Sequence, residues 1–272
     1  MKGGKCMHFT KMQGLGNDYL YVYGDVPENI AAISQKLSDR HYGAGSDGLI
    51  YITHSDKADF GMRIFNADGS EAKMCGNGIR CVGKYIYEKG LSRKTELEIE
   101  TLSGIRHLRL DVEGEKVSSV SVNMGTVKVS EPETIEIEGK SFTLYPVSTG
   151  NPHAVIFTDE KGLSLPEKIG TYIEHHPMFP QGVNAEFVVV REDGSLRMRV
   201  WERGSGVTMA CGTGACATAA AAVFTGTVSA EKPVIVELDG GILEFRKVES
   251  GEFWMKGPAA FVYEAEIEME GV

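Results

Sequence analysis

The hydrophobic and polar positions of the first half of the chain alternate in short runs that predict β-strands. The clearest predicted strands are residues 18–24, 48–54, 60–66, 95–101, 105–111 and 116–123. Two other segments have helical spacing. One spans about 27–40, with Pro27 in its first turn, and the other spans 77–89 and ends before Gly90. The pattern indicates strands arranged around a central helix.

The second half repeats this arrangement. Its predicted strands are residues 154–157, 186–190 and 196–202. The helix predicted over 212–224 carries small and apolar residues on nearly every face, so it should lie buried in the middle of its domain. We therefore predict an α+β fold of two similar pseudo-symmetric domains, each a mostly antiparallel sheet wrapped around a central helix.

The acidic stretch around Pro132 is the predicted boundary between these domains. The first domain is then residues 1–130 and carries Cys75. The second is residues 131–272 and carries Cys211, and its last strand is free to pack back on the first domain.

An internal repeat supports the two-domain interpretation. When Cys211 is placed over Cys75, 136 residues earlier, both copies read Arg, aliphatic, aromatic, nine further residues and then Cys-Gly-x-Gly. With a two-residue slip, the segment GNDYLYV from Gly16 also lies over GNPHAVI from Gly150. Matches that keep the same order favour a duplicated domain over chance.

Composition and charge narrow the function classes. The 272 residues include 42% hydrophobic and 24% charged side chains, which is typical of a soluble globular protein. A net charge of -10 disfavours nucleic acid and anionic membranes as partners, because both require clustered Lys and Arg. No stretch has the length and apolar character of a membrane span or a secretory signal. Together with an odd count of five cysteines, this predicts reduced thiols and a cytoplasmic protein.

Several motif-like features carry no predicted chemistry. Residues 43–48 match G-x-G-x-x-G, but a predicted helix precedes them and a strand follows, the reverse of a dinucleotide-binding turn. His175 and His176 are neighbours that cannot share a helix face, so they are predicted at the surface. The cysteines interpreted as tail or packing thiols are Cys6, Cys81 and Cys216. No metal or cofactor motif is evident, although a pyridoxal-binding lysine has no reliable signature; no metal and no cofactor are predicted.

Cys75 and Cys211 differ from the other cysteines because each lies at a turn that leads from a loop into a helix. The unpaired N–H groups and partial positive charge of a helix start favour anions and lower the pKa of a nearby thiol. Glycine at these turns lets a ligand approach the backbone. For one cysteine alone, a structural turn with a buried thiol is the better interpretation. For a matched pair, which a duplicated domain would bring face to face in a cleft, we favour a functional one.

Two facing thiols beside two anion-binding helix starts suggest acid/base chemistry on a carbon next to a carboxylate. One thiolate would remove the α-proton, and the opposite thiol would return a proton on the other face, so that the stereocentre inverts. The helix starts would stabilise the charge that develops on the carboxylate.

Five segments, which span nearly the whole chain, resemble the diaminopimelate epimerase family in that family's order. They are KMQGLGNDY from Lys11, FNADGSEAKMCGNGIRC from Phe65, STGNPHAV from Ser148, QGVNAEFV from Gln181 and VWERGSGVTMACGTGACA from Val200. The resemblance implies a cofactor-independent isomerase that interconverts LL- and meso-diaminopimelate in lysine and peptidoglycan-precursor biosynthesis. It also implies an active site in the cleft between two domains.

The resemblance assigns roles to particular residues. Cys75 and Cys211 are the acid/base pair, while His153 and Glu202 poise the thiols and orient the reacting amine. Backbone N–H groups that bind the reacting carboxylate come from Gly76, Asn77, Gly212 and Thr213. The remaining substrate-binding residues are Asn17, Asn66, Asn151, Asn184 and Arg203.

A cation and neutral amides suit the second amino-acid end of such a substrate. Alternative interpretations remain for four of these residues. Asn17 and Asn66 could simply cap turns, and Glu202 with Arg203 could be a solvated pair at a strand end.

Two positions depart from the family pattern, and other functions remain open. Gly48 stands where some members carry Gln, and Val207 stands where an acidic residue is common. The alternatives are a cofactor-independent racemase of another amino acid, such as histidine, a non-catalytic amino-acid-binding protein, or a related isomerase or dehydratase with a single base. The family also implies a homodimer with a C-terminal tyrosine at the contact, and Tyr263 occupies a similar place.

Overall fold

The computed structural model describes residues 6–268 and divides the chain into two compact units. The first unit runs to Val122 and takes in the chain again from Pro258, whereas the second is Asn123–Gly257. The sequence places the boundary between residues 130 and 131, so the observed division falls earlier. The C-terminal strand is grouped with the first unit, where it pairs with the N-terminal strand from Cys6.

The first unit forms the predicted strands and both predicted helices, with small shifts at their ends. Its helices are α1 (Ile30–Ser38) and α2 (Gly76–Glu88). Its strands are β1 (Cys6–Gly14), β2 (Asn17–Tyr23), β3 (Gly48–Thr53), β4 (Phe60–Asn66), β5 (Glu71–Ala72), β6 (Glu96–Thr101), β7 (Gly104–Glu113), β8 (Lys116–Thr126) and the C-terminal β19 (Ala260–Glu268). Strand β8 continues past Val122 into the second unit.

The second unit contains helices α3 (Pro166–Glu174) and α4 (Gly212–Phe224), with a 3-10 turn at Glu160–Ser164. Its strands are β9 (Lys128–Val129), β10 (Glu133–Ile137), β11 (Lys140–Ser148), β12 (Pro152–Phe157), β13 (Asn184–Val190), β14 (Leu196–Glu202), β15 (Gly206–Val207), β16 (Val234–Leu238), β17 (Gly241–Lys247) and β18 (Glu252–Gly257). The predicted helix over 212–224 has the observed bounds.

The strand pairing repeats between the units. In the first, β2 pairs with β3 in parallel, β3 with β4 antiparallel, and β4 with β6 in parallel. In the second, β12 pairs with β13 in parallel, β13 with β14 antiparallel, and β14 with β16 in parallel. The register is also shared, because Leu20 lies opposite Leu49 as Ala154 lies opposite Ala185. The predicted duplication is confirmed at the level of individual strand pairs.

The sequence analysis misses α3, which lies in the second unit where α1 lies in the first. The helix is only nine residues long and begins at Pro166, a residue suited to a first helical position. Ile169 and Ile173, four positions apart, face the core. These two are the only buried aliphatic side chains of this short helix, so its apolar periodicity is too weak to identify a helix by itself.

Each central helix is buried along most of its length. Helix α2 packs against β1, β2 and β7, and α4 packs against β12, β13 and β16. Both end before a glycine with left-handed backbone, Gly90 at φ 74° and Gly226 at φ 71°, a conformation that costs glycine little. The prediction of a buried central helix is confirmed.

Two exclusions drawn from the sequence can be compared with the fold. Residues 43–48 follow helix α1 and lead into strand β3, which begins at Gly48; this is the reversed order that argues against a dinucleotide-binding turn. Across residues 6–268, no helix has the length and apolar character needed to cross a membrane.

Candidate active site

Cys75 and Cys211 are the N-caps of the two central helices. The Cys75 sulfur accepts a hydrogen bond from the N–H of Gly78 at 3.3 Å, and the Cys211 sulfur accepts one from Gly214 at 3.3 Å. Each thiol therefore covers one of the N–H groups that a helix start leaves unpaired. The placement predicted from the Cys-Gly-x-Gly turns is confirmed in both units.

The second glycine of each turn has a packing role. A Cβ on Gly78 would lie 2.6 Å from Cδ1 of Ile50, and a Cβ on Gly214 would lie 2.5 Å from Oε1 of Glu186. Glycine thus lets each helix start approach the strand beneath it closely. Access for a ligand, the reason suggested by the sequence, is not needed to explain these two positions.

In the first unit, an amide contacts the Cys75 thiol. Asn17, at the start of β2, accepts a hydrogen bond from Cys75 Sγ through its Oδ1 at 3.2 Å. The Asn17 NH₂ group donates to Asp47 Oδ2 at 2.7 Å. Asp47 in turn accepts from Arg40 at 2.9 Å. Asn17 therefore contacts the sulfur and is oriented by a carboxylate that the sequence analysis does not include.

The other predicted residues of the first unit lie close to this helix start or at the end of β4. Gly76 and Asn77 form the first residues of α2, where their N–H groups belong to the helix start, and Asn77 is buried. Asn66 ends β4, and its amide donates to Ser70 Oγ at 3.0 Å. The side chain of Asn66 thus caps the 66–70 turn, as the alternative interpretation suggests.

In the second unit, Cys211 has two polar neighbours besides the helix start. Asn184 Nδ2 lies 3.9 Å from the sulfur, and the Thr213 hydroxyl lies 3.5 Å from it. Asn184 also accepts the backbone N–H of Arg203 through Oδ1 at 2.9 Å. Gly212 and Thr213 form the first residues of α4. Three of the predicted residues, Asn184, Gly212 and Thr213, are therefore brought together around the Cys211 thiol.

Burial raises the pKa of the Cys211 thiol well above its usual range. The negative charges of Glu202 and Glu186 act in the same direction, while Thr213 and the Gly214 N–H act in the opposite one. The sequence analysis expects the helix start to lower this pKa, and that expectation is wrong for Cys211. The cause is that desolvation of the thiolate outweighs one backbone N–H.

Glu202 and Arg203 lie at the end of β14, and their side chains have different partners. Glu202 accepts a hydrogen bond from the Thr208 hydroxyl, whereas the Arg203 guanidinium donates to the carbonyl of Gln181 at 2.7 Å. Buried Glu174, which the sequence analysis does not include, accepts the backbone N–H of Gly204 at 2.9 Å. The turn that follows β14 is therefore tied to α3, the helix that ends at Glu174.

His153 is paired with a carboxylate that the sequence analysis misses. Its Nδ1 and Glu186 Oε1 share a hydrogen bond of 2.7 Å, and both side chains are 0% exposed. Burial raises the pKa of the Glu186 carboxyl above its ordinary value, and His153 opposes this shift. The signal in the sequence was a glutamate inside the otherwise apolar run AEFVVV.

Asn151 lies just before β12, where its Oδ1 accepts a hydrogen bond from the Thr149 hydroxyl at 3.0 Å.

The two departures from the family pattern have different explanations. Gly48 has φ 156°, and a Cβ there would lie 2.2 Å from the carbonyl oxygen of Phe65, so this backbone leaves no room for glutamine. Val207 pairs with Trp201 in the short β14–β15 ladder. Nothing in the structure explains why valine replaces an acidic residue there.

The residues assigned to packing or to the surface lie largely as expected. Cys81 and Cys216 are buried and Cys6 is exposed, and none of the five cysteines, all of which lie within residues 6–268, forms a disulfide. His175 is exposed and His176 is partly buried. Within residues 6–268, no group of three or more His, Cys, Asp or Glu side chains is placed to hold a metal ion.

Comparison with known proteins identifies the family. The diaminopimelate epimerase family model matches residues 9–130 and 145–262. The chain belongs to the diaminopimelate epimerase family. It is 47% identical over 280 residues to a diaminopimelate epimerase of Acetivibrio thermocellus, covering 97% of this chain and 99% of that one. It is 51% identical over 278 residues to one of Phocaeicola vulgatus, covering 96% and 98%.

The fold has solved relatives at lower identity. A phenazine biosynthesis protein of the PhzF family from Bacillus anthracis has a TM-score of 0.77 at 19% identity, covering 97% of this chain and 99% of that one. This similarity concerns the fold alone. The expected diaminopimelate epimerase-like α+β fold is confirmed.

Proposed function

We propose that this protein is a cofactor-independent isomerase that interconverts LL- and meso-diaminopimelate. The observation that carries the proposal is the pair of cysteine N-caps, Cys75 and Cys211, in equivalent positions of a duplicated fold. Relatives named diaminopimelate epimerase, similar over nearly their whole length, support this substrate over another amino acid such as histidine. In the cell the reaction would serve lysine and peptidoglycan-precursor biosynthesis.

In the proposed reaction, both thiols act on one α-carbon. The thiolate of one cysteine removes the α-proton and becomes a thiol, and the thiol of the other gives its proton to the opposite face and becomes a thiolate. The helix-start N–H groups of Gly76, Asn77, Gly212 and Thr213 stabilise the charge on the carboxylate of the carbanion. One turnover therefore exchanges the protonation states of Cys75 and Cys211, and the reverse direction exchanges the roles of base and acid.

The surrounding residues supply contacts to the substrate. His153 and Glu202 exchange protons with the thiols and orient the reacting amine. Asn17, Asn151 and Asn184 bind polar groups of the substrate, and the Arg203 guanidinium binds its second carboxylate. Asn66, whose amide also donates to Ser70, belongs to the same substrate-binding set.

The assembly and location are further parts of this proposal. A homodimer is supported by Tyr263, which is 41% exposed on β19 and donates to the carbonyl of Ala44 at 3.2 Å. A cytoplasmic location is supported by the five cysteines, which lie within residues 6–268 and form no disulfide. Size-exclusion chromatography with light scattering tests the dimer, and Tyr263→Ala should shift the protein toward monomer.

Proton NMR in D₂O tests the proposed reaction. Reduced protein incubated with LL-diaminopimelate and no added cofactor should remove the α-proton signal while the meso isomer appears. Cys75→Ala and Cys211→Ala should each abolish epimerisation, whereas Cys6→Ala should not. If the protein exchanges the α-proton of another amino acid but not that of diaminopimelate, that amino acid would take the place of diaminopimelate as the proposed substrate. An active enzyme lacking both Cys75 and Cys211 would overturn the mechanism.

A further inference from the structure

Glu186 is a carboxylate placed inside the second unit without exposure to solvent. It lies in the middle of β13, its side chain is 0% exposed, and its Oε1 is 2.7 Å from Nδ1 of His153. The helix start capped by Cys211 packs directly on it, since a Cβ on Gly214 would lie 2.5 Å from the same Oε1. Glu186 is thus next to both the predicted catalytic histidine and the first turn of α4.

Two atoms of this pair have no hydrogen-bond partner among residues 6–268. They are Oε2 of Glu186 and Nε2 of His153. A buried polar group without a partner destabilises a fold, and such groups in native proteins occur preferentially at functional sites. Stability alone therefore does not account for the pair.

The first unit shows that the fold accepts an apolar residue at this position. By the shared register, Glu186 corresponds to Ile50 and His153 to Tyr19. Gly78 packs on Ile50 just as Gly214 packs on Glu186. The carboxylate is therefore specific to the second half of the site, where the histidine also lies.

We propose that Glu186 is a positioning residue that accepts a hydrogen bond from the Nδ1–H of His153, holds the ring, and leaves Nε2 as the nitrogen that exchanges a proton with a thiol. The proposal rests on the proposed function. When Nε2 takes a proton from a thiol, the histidine becomes an imidazolium and the thiol a thiolate. The charge that develops on the ring lies beside the Glu186 carboxylate, and return of the proton restores both groups. Glu186 also interacts electrostatically with two other titratable groups, Cys211 on α4 and Glu202 on β14.

The tautomer of His153 tests the proposal without any substrate. The measurement is two-dimensional ¹⁵N–¹H NMR of the full chain labelled at its histidine nitrogens, with the His153 signals assigned by their loss in His153→Gln. The unmodified protein should carry its proton on Nδ1. Glu186→Ile, which copies the first unit, should move the proton to Nε2 or give a mixture. A ring that keeps the Nδ1 proton in Glu186→Ile would overturn the proposal.

Kinetics test the consequence for the reaction. Glu186→Ile should lower kcat for diaminopimelate about 10–100-fold while KM changes by less than about threefold, since the residue acts through His153. The pH dependence of kcat should also change, on the side of the profile that is governed by proton transfer to or from the thiols. Glu186→Gln, which keeps an acceptor but removes the charge, should lose less activity, and it provides the test if Glu186→Ile does not fold. Unchanged kcat and pH profile in a folded Glu186 variant would contradict the proposal.

A matched control separates positioning from packing. Val188→Ala shortens a buried side chain two positions further along β13, and this apolar side chain cannot hydrogen-bond to the His153 ring. It should lower thermal stability but leave the His153 tautomer and the pH profile unchanged, and the same changes as in Glu186→Ile would overturn the assignment. If the unmodified protein exchanges the α-proton of no amino acid, the proposed function fails, while the tautomer measurement still decides whether Glu186 positions His153.

Discussion

The amide of Asn17 presents its oxygen to the thiol of Cys75, at 3.2 Å, because its nitrogen is held elsewhere. That nitrogen donates to Asp47 Oδ2, and an ionised carboxylate can only accept. Asn184 has the opposite orientation toward Cys211. Its oxygen accepts the N–H of Arg203, so its nitrogen is the atom that faces the sulfur, at a long 3.9 Å. The two units therefore have the same backbone arrangement, but Asn17 presents its amide oxygen to Cys75 whereas Asn184 presents its amide nitrogen to Cys211.

From this relationship we expect Asp47→Asn to make Cys75 more reactive. An asparagine at 47 keeps its one oxygen as the acceptor for Arg40 and presents its NH₂ group to Asn17, so the Asn17 nitrogen loses its acceptor. The Asn17 N–H can then turn toward the sulfur and stabilise the thiolate. A hydrogen bond is worth about 0.5–1.5 kcal/mol, which corresponds to roughly a 2–10-fold faster alkylation of Cys75 by iodoacetamide at neutral pH. Peptide mass spectrometry in a Cys211→Ser background measures that rate.

The control for this prediction is Arg40→Gln. Arg40 contacts the other oxygen of Asp47 at 2.9 Å and leaves the bond to Asn17 in place. Alkylation of Cys75 should change by less than about twofold. Slower alkylation in Asp47→Asn, or the same acceleration in Arg40→Gln, would show that the amide orientation does not control the thiol.

The two packing glycines should differ in their tolerance of alanine. A Cβ at Gly78 meets the terminal methyl of Ile50 at 2.6 Å, and this group can move. A Cβ at Gly214 meets Glu186 at 2.5 Å, whose carboxylate is bonded to His153. Overpacking costs about 1–3 kcal/mol, so we expect Gly78→Ala near the lower end and Gly214→Ala near the upper end. Urea unfolding measures both, and equal losses would contradict the argument.

Much of the fold could be predicted because the chain repeats itself. The offset between Cys75 and Cys211 also relates α2 to α4, and it relates α1 to the missed helix α3. Shifting the helix predicted over about 27–40 by that offset would have located α3, although the nine residues of α3 show little periodicity themselves. The signal was therefore present in the repeat and absent from the local pattern.

The site was predictable as far as its motifs extend. Both helix-start cysteines, and the Asn184 and Thr213 side chains beside Cys211, lie near the positions implied. Asp47, Glu174 and Glu186 could not be recognised, because each acts by orienting another residue. Glu186 is the one charged residue of a strand that is buried on both faces, but the strand pattern does not show that its partner is His153. The raised pKa of Cys211 was also missed, since burial depends on the packing of the whole unit.

Stability should fall at alkaline pH partly because of Cys81. Burial raises the pKa of this thiol to about 11. Above pH ~9 the unfolded chain loses a proton that the folded chain keeps, so the free energy of unfolding falls as pH rises from about 9 to about 11. Between pH 8 and 10, the unmodified protein should lose about 1 kcal/mol more than Cys81→Ala. Urea unfolding at both pH values measures this difference. Val82→Ala, a comparable deletion on the same helix, should keep the full pH dependence, and an equal slope in Cys81→Ala would contradict the assignment.

Arg203 should determine recognition of the second carboxylate of the substrate. Its guanidinium uses one N–H on the Gln181 carbonyl, and its backbone is fixed by Asn184, so the remaining donors are presented on a positioned side chain. Arg203→Gln removes a charge-assisted contact worth about 1.5–3 kcal/mol, so KM for diaminopimelate should rise about 10–100-fold with a smaller change in kcat. Arg191→Gln, which removes a cation paired with Glu237 in the same unit, should leave KM unchanged. For an amino acid without a second carboxylate, the KM of the unmodified protein and that of Arg203→Gln should be equal. A KM that rises for both substrates would instead place Arg203 at the reacting end.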